Sequence, residues 1–410
     1  MGFGDIGVSI APETTFVTLA FVAAGIFLGT LSGLIPGLHA NNFALLLAGF
    51  APSIPADPQF VGAAMLAAGV THTFLDIVPA LALGVPDPAM APTALPGHTL
   101  VLQGRGREAL RLSALGSALA VALAVPLALP VTVLMQRIYP TIAAHLTLVL
   151  GTVSVLLVVT ERTTGARLGA ALALGGSGVL GILTLDVPAG GVLPAGDMLA
   201  PLFAGLFGAP ILIEALRGGG VPPQADARVT TSRRFVLAVG FVGTLAGALV
   251  GYLPAISSAI AAAGALVVLP HRGPRAFVVA TSGVNTANTV FALFALVALG
   301  NPRTGVLVAL ESAGVPHNLP LLLGTVGIAA AAGFVLVVAV GDAYLDVVGS
   351  LDNAVLSVGV LLFLCVLVVA FTGPVGLGVF GVSTLVGLIP ARFGARRMTL
   401  MGVLLVPLAL

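Results

Sequence analysis

Asp76 lies well inside an apolar run, 59–83, where an ionised carboxylate costs about 2.5 to 3.5 kcal/mol on insertion scales. His72 precedes it by four residues and therefore shares its face if the stretch is helical, although Pro79 disturbs a helix there. The pair can relay a proton or bind a coupling cation, Na⁺ or H⁺; the other reading is a local structural pair with a silent acid. Polar side chains gather nearby in sequence: His39, Asn41 and Asn42, then Thr71, His72 and Thr73. A second group follows far downstream: Ser257 and Ser258, then Ser282, Asn285, Thr286, Asn288 and Thr289. Such groups offer donors to a carboxylate and oxygens to a cation, and they also glue membrane helices together for about 1 kcal/mol each. As a set they read as a binding site.

Other chemistries are excluded by what the chain lacks. All 16 basic residues are Arg, so the phosphate-binding lysine of ATPases, Schiff-base chemistry and every lysine base are missing. Cys365 is the only cysteine, inside the apolar run Val360 to Phe371, which rules out disulfides within the chain and cysteine metal clusters. Neither a Gly-x-Ser-x-Gly elbow nor a His-Glu-x-x-His zinc helix occurs. The longest polar interval, Arg217 to Arg234, cannot fold a catalytic domain of about 100 residues. An ion gradient or a partner must supply the energy, no cofactor is expected, and nothing points to nucleic acid.

The elements that hold these residues are membrane helices. The 410 residues are 58% hydrophobic and 8% charged, against about 25% charged in soluble domains, and the mean hydropathy is +1.17. An all-α polytopic protein in the lipid bilayer is predicted, with about 11 to 14 membrane segments. Residues 1–13 carry Asp5 and Glu13 and no basic residue, so the first apolar run is not expected to be a cleaved signal. Full spans are predicted near 14–35, 59–83, 112–134, 141–160, 168–185, 198–216, 235–253, 276–299, 319–340, 354–371 and 375–390. Shorter runs cover 39–51, 256–269 and 398–410. The arginines at 105–111, 162–167, 217–234, 272–275 and 392–397 fall on one side, read as cytoplasmic, with the N-terminus outside. Arg303 on the outside and an inside loop holding Asp342, Asp346 and Asp352 run against that assignment.

The two halves resemble each other. Gly25, Gly29, Gly33 and Pro36 recur 218 residues later as Gly243, Gly247, Gly251 and Pro254. Gly69-Val70-Thr71 resembles Gly283-Val284-Asn285, and Leu83-Gly84-Val85-Pro86 resembles Leu299-Gly300-Asn301-Pro302. Seven predicted crossings separate the first helix from its counterpart, and an odd number turns the second copy upside down. Glycines four apart let helices approach closely. The prolines break helices whose freed carbonyls must face protein or a wet cavity. Paired breaks in inverted halves point to a transporter's binding site, and residues around Pro36 to Asn42 and Pro254 to Ser258 are expected to meet near the midplane. Breaks or hinges are therefore placed at Pro36, Gly84, Pro86, Pro254, Gly300 and Pro302. The substrate set is Gly37, His39, Asn41, Asn42, Thr71, His72, Ser257, Ser258, Asn285, Asn288 and Arg303, with Asp76 for the cation. Arg303 follows the second-half turn where Asp87 follows the first. Its guanidinium suits a carboxylate; a solvated loop charge, or a pairing with Asp87, is the other reading. The division reads as repeat cores at 14–111 and 235–317, with scaffold or connecting helices at 112–234 and 318–410.

Gly33-Leu34-Ile35-Pro36-Gly37-Leu38 with its Asn41-Asn42 sequel, the Leu83 to Pro86 turn, Pro96-Gly97-His98, Gly104-Arg105-Gly106 and the Asn285 to Pro302 segment resemble the large permease subunit of the tripartite tricarboxylate transporter family. The resemblance spans 20–110 and 240–315. It implies a secondary active permease importing small organic anions, di- or tricarboxylates, by alternating access of an elevator type. It further implies a cation gradient, a small membrane subunit and an extracytoplasmic solute-binding protein as partners, and a place in the prokaryotic plasma membrane. Asp87, Arg303 and Pro254-Ala255 depart from the family's Leu-Gly-Ile-Pro-Gly and proline-glycine patterns, which leaves open the substrate and a branch working without partners or as a homo-oligomer. An intramembrane enzyme, protease or lipid hydrolase, and a non-transporting scaffold or channel subunit are the alternatives.

Overall fold

The computed structural model describes residues 12–36, 38, 40–84, 94–193, 198–216, 221–225, 227–253, 258–267, 273–300 and 302–410. Every regular element among them is helical. In chain order these are α1 (Pro12–Leu34), α2 (Ala40–Phe50), α3 (Pro58–Leu75), α4 (Ile77–Leu83), α5 (Ala94–Leu102), α6 (Gly106–Ala144), α7 (Leu146–Val159), α8 (Thr164–Thr184), α9 (Leu199–Phe203) and α10 (Ala209–Ala215). The second half holds α11 (Arg233–Tyr252), α12 (Ser258–Val267), α13 (Pro274–Leu299), α14 (Gly305–Ser312), α15 (Leu319–Ser350), α16 (Asn353–Gly387), α17 (Ile389–Phe393) and α18 (Gly402–Ala409).

Eight of these stretches are long and apolar enough to cross a membrane: Pro12–Leu34, Pro58–Leu83, Gly106–Ala144, Thr164–Thr184, Arg233–Tyr252, Pro274–Leu299, Leu319–Ser350 and Ala354–Phe393. They fit an integral, multi-pass membrane protein. Leu146–Val159, Leu199–Ala215 and Arg397–Ala409 are shorter apolar helices. The differences from the hydropathy reading have local causes. The run 141–160 divides at His145, because α6 continues through Ala144 and only 14 residues remain for α7. The run 198–216 is α9 and α10 joined by a π-helical turn, Ala204–Gly208. The runs 354–371 and 375–390 stand as two helical segments of α16, separated at Gly373, whose φ 69° and ψ −164° are not helical.

At that break Pro374 has no N–H to give the carbonyl of Ala370. The amide of Leu193 supplies it at 3.0 Å, and Gly190 N–H reaches Thr372 O at 3.4 Å. Side-chain caps fix several starts: Asp57 accepts from Gln59 N–H before α3, Ser232 from Phe235 before α11, and Asp352 from Ala354 and Val355 before α16. Left-handed glycines, Gly84 at φ 70° and Gly300 at φ 61°, end α4 and α13.

Burial separates inner from outer helices. The most apolar stretch of Pro58–Leu83 is 100% buried and that of Pro274–Leu299 is 72% buried, against 22% for Ala354–Phe393. Large apolar side chains such as Phe16, Leu362 and Leu385 face outward, as a bilayer permits and water does not. The two inner helices are gripped alike. A methyl on Gly25 or Gly29 of α1 would press on the carbonyls of Ala64 and Ala68, and one on Gly33 would meet Leu75. One on Gly243, Gly247 or Gly251 of α11 would meet Ala280, Ala287 and Phe291. Each long following helix then crosses to the other half: Gly116 of α6 packs on Val279 of α13, and Gly333 of α15 on Phe74 of α3. One apolar core therefore contains both halves, while a second joins α7, α8, α9, α18 and the 397–401 turn.

The contacts also fix the register between halves. Gly29 meets Ala68 and Thr71 where Gly247 meets Val284 and Ala287, and Gly33 meets His72, Leu75 and Asp76 where Gly251 meets Asn288, Phe291 and Ala292. Each residue of the inner pair thus stands 216 positions before its counterpart, as do Gly84 and Gly300. Gly69 answers to Asn285 and Thr71 to Ala287, two residues off the alignment read from sequence.

Asp342 and Asp346 belong to α15 rather than to a loop, and Asp352 caps α16. Arg111 grips Asp342 with two bonds of 2.6 Å, and Arg107 grips Asp346 at 2.9 and 3.0 Å. Asp342 and Asp346 therefore lie beside the arginines of 105–111, which pair with their charges.

Candidate functional site

Pro79 lacks the N–H that Leu75 O would accept, and the helix is interrupted one turn earlier, at Asp76, between α3 and α4. The interruption is slight: Asp76 keeps φ −59°, ψ −23°, and its N–H bonds His72 O at 2.9 Å. Asp76 and His72 hence share a face. Asp76 is 4% exposed, and its Oδ2 accepts from Asn285 Nδ2 of α13 at 2.7 Å. Asn285, 6% exposed, accepts in turn on Oδ1 from the hydroxyl of Ser258, the first residue of α12, at 3.5 Å. On the other side, the Asp76 backbone lies against Gly33 near the end of α1.

A continuous set of contacts thus runs from the flank of the first break, Gly33, through Asp76 and Asn285 to the flank of the second, Ser258. Pro36 sits in the turn after α1. Gly37, His39, Pro86, Asp87, Pro254 and Ser257 lie outside the described residues, and so do the side chains of Asn41 and Asn42 in the first turn of α2.

His72 is buried and its Nδ1 meets Ser32 Oγ of α1 at 2.9 Å. Thr71 is fully buried, with no hydrogen-bond partner for its hydroxyl. Beside them a file of hydroxyls binds three helices: Thr73 to Thr286 at 3.4 Å, Thr286 to Ser117 at 2.9 Å, and Ser113 to Ser282 at 2.8 Å. Ser117 also donates to Ser282 O. Asn288 holds the position of His72 in the other half, and its Oδ1 has no partner. Arg303 does not join this cluster through any described bond. Its Nη2 donates to the hydroxyl of Tyr139, its guanidinium lies 5.1 Å from the centre of that ring, and its Nε has no partner.

Ser32, Ser113 and Ser117 were passed over in the sequence, although the spacing of Ser113, Gly116 and Ser117 marks a small-residue face on α6. Glu108 was missed too. This acid, 2% exposed, accepts from Arg275 at 3.1 Å, from Arg105 at 2.8 Å and from Thr230. It thereby ties the start of α6 to the start of α13 and to the polar interval, drawing three arginine-bearing segments to one place. A lone acid among arginines at 105–111 was the available signal. No cluster of metal-binding side chains occurs among the described residues.

Residues 19–402 match the family model described as the tripartite tricarboxylate transporter TctA family. An uncharacterized protein of Methanocaldococcus jannaschii is 28% identical over 298 residues, which cover 72% of each chain. No solved structure matches the chain.

Proposed function

This chain belongs to the tripartite tricarboxylate transporter TctA family, and on that premise we propose that it is a secondary active permease importing small organic anions, di- or tricarboxylates, on a cation gradient. The observation that carries the reading is the buried Asp76–Asn285 hydrogen bond, which joins the inner helices of the two halves between the flanks of both breaks. An acid at that depth, accepting from the Asn285 amide, is suited to a cation, Na⁺ or H⁺. The amides and hydroxyls of Asn41, Asn42, Thr71, Ser258, Asn285 and Asn288, the imidazole of His72 and the unpartnered Nε of Arg303 are suited to carboxylate oxygens. The same proposal takes the halves as inverted repeats, supported by the equal glycine contacts, and alternating access as a rigid movement of the inner helices. A small membrane subunit, an extracytoplasmic solute-binding protein and the plasma membrane of a prokaryote complete it.

Proteoliposomes containing the purified chain, screened over di- and tricarboxylates with and without an inward Na⁺ or proton gradient, test the reading. Gradient-dependent accumulation of one of them is expected. No uptake of any carboxylate, with or without the partner subunits, would reject it.

A further inference from the structure

Asn285 has one neutral amide and two anions that could claim it. Its Nδ2 donates at 2.7 Å to Asp76, and its Oδ1 is held by Ser258, so the amide plane is restrained with its donor edge on the carboxylate. Short bonds from a neutral donor to a charged acceptor are the strong ones, and with Asn285 6% and Asp76 4% exposed, little water competes. A substrate carboxylate arriving at this place meets a donor already engaged and a like charge behind it.

We propose that Asn285 links the two ligands: its amide is committed to Asp76 while that carboxylate carries no cation, and turns to the substrate carboxylate once a cation neutralises Asp76. The inference rests on the proposed function and deepens it by naming the residue that couples cation to anion. The register between halves does not repeat the pair: the counterpart of Asp76 is Ala292 and that of Asn285 is Gly69. Asn285 contacts both the first half, through Asp76, and the flank of the second break, through Ser258, so a change of its partner is felt on both sides. Coupling of this kind between two ligands amounts to a factor of about 5 to 150 in affinity, the same in both directions.

The test is a double-mutant cycle on the purified full chain in nanodiscs, with citrate as the probe and choline replacing Na⁺. Asp76→Leu removes the competing acceptor and the negative charge, and is expected to tighten citrate binding at least about tenfold. Asn285→Leu alone should change the cation-free affinity less than about threefold, because its donor is already committed. In the double variant the gain from Asp76→Leu should shrink at least about threefold, since the charge has gone but no amide is released. Asn285→Ser, which keeps a hydroxyl donor, serves if the leucine variant does not purify as a single species, and is expected to retain part of the gain.

Additive effects in the cycle would overturn the inference while leaving transport of carboxylates standing. If the wild-type chain binds no di- or tricarboxylate even with Na⁺ present, the proposed function fails and the inference with it. Size-exclusion profiles and melting temperatures of all four proteins separate a loss of coupling from a loss of structure.

Discussion

The helix pair α1 and α3–α4 and the pair α11 and α13 have the same grip and different chemistry. In both, three glycines spaced four apart press one helix on the backbone of a 26-residue inner stretch that ends at a left-handed glycine. Where the first pair carries His72 and Asp76, the second carries Asn288 and Ala292. Packing demands are duplicated because both inner helices must be held, whereas an ionisable group at such depth is costly. Of these two counterpart positions only the first carries an acid, and there the Asn285 amide stands beside it.

Asp76→Asn breaks the contrast at its centre. The amide keeps the shape and an acceptor for Asn285, so the protein should fold, but gradient-driven accumulation should be abolished while exchange of substrate for substrate persists. Accumulation at the wild-type rate in proteoliposomes would remove Asp76 from coupling. The converse substitution, Ala292→Asp, places an acid at the counterpart of Asp76, where the counterpart of Asn285 is Gly69, which has no side-chain amide. It should cost about 3 to 5 kcal/mol in stability, the range for an uncompensated buried charge. A melting temperature equal to wild type would show that the second half can carry an acid as well.

Smaller changes test the shared grip. Gly29→Ala drives a methyl onto the Ala68 carbonyl and should cost about 1 to 3 kcal/mol. Gly243→Ala, whose nearest carbonyl, that of Ala280, lies at 2.9 Å, should cost less. Equal thermal shifts would mean that the two contacts are equally tight. Asn288→Ala removes an amide whose oxygen bonds nothing, so stability should change by less than about 0.5 kcal/mol while uptake falls. Unchanged uptake at equal expression would leave Asn288 as packing alone.

Glycine spacing, the proline breaks and the shared face of His72 and Asp76 could be read along the chain because each is a local property, set by helical periodicity and by what proline cannot donate. The short runs at 39–51 and 256–269 became α2 and α12 for the same reason. What could not be read is tertiary. Nothing near Asn285 in sequence says that its amide faces Asp76 rather than a substrate, and nothing near Asp342 says that Arg111 lies opposite. Two acids in an apolar stretch therefore looked like a loop, although each had an arginine to neutralise it. The register slipped by two because composition alone matched Gly69-Val70-Thr71 to Gly283-Val284-Asn285, while the backbone contacts of the glycines set the actual phase.

The break at Gly373-Pro374 has a consequence for biogenesis. Its missing donor comes from Leu193, and Gly190 completes the splice, so α16 cannot satisfy its own backbone as an isolated segment leaving the translocon. The donor segment is, however, made 177 residues before Ala370, roughly nine to thirty-five seconds earlier at 5 to 20 residues per second. The order of synthesis thus delivers the patch before the gap it closes.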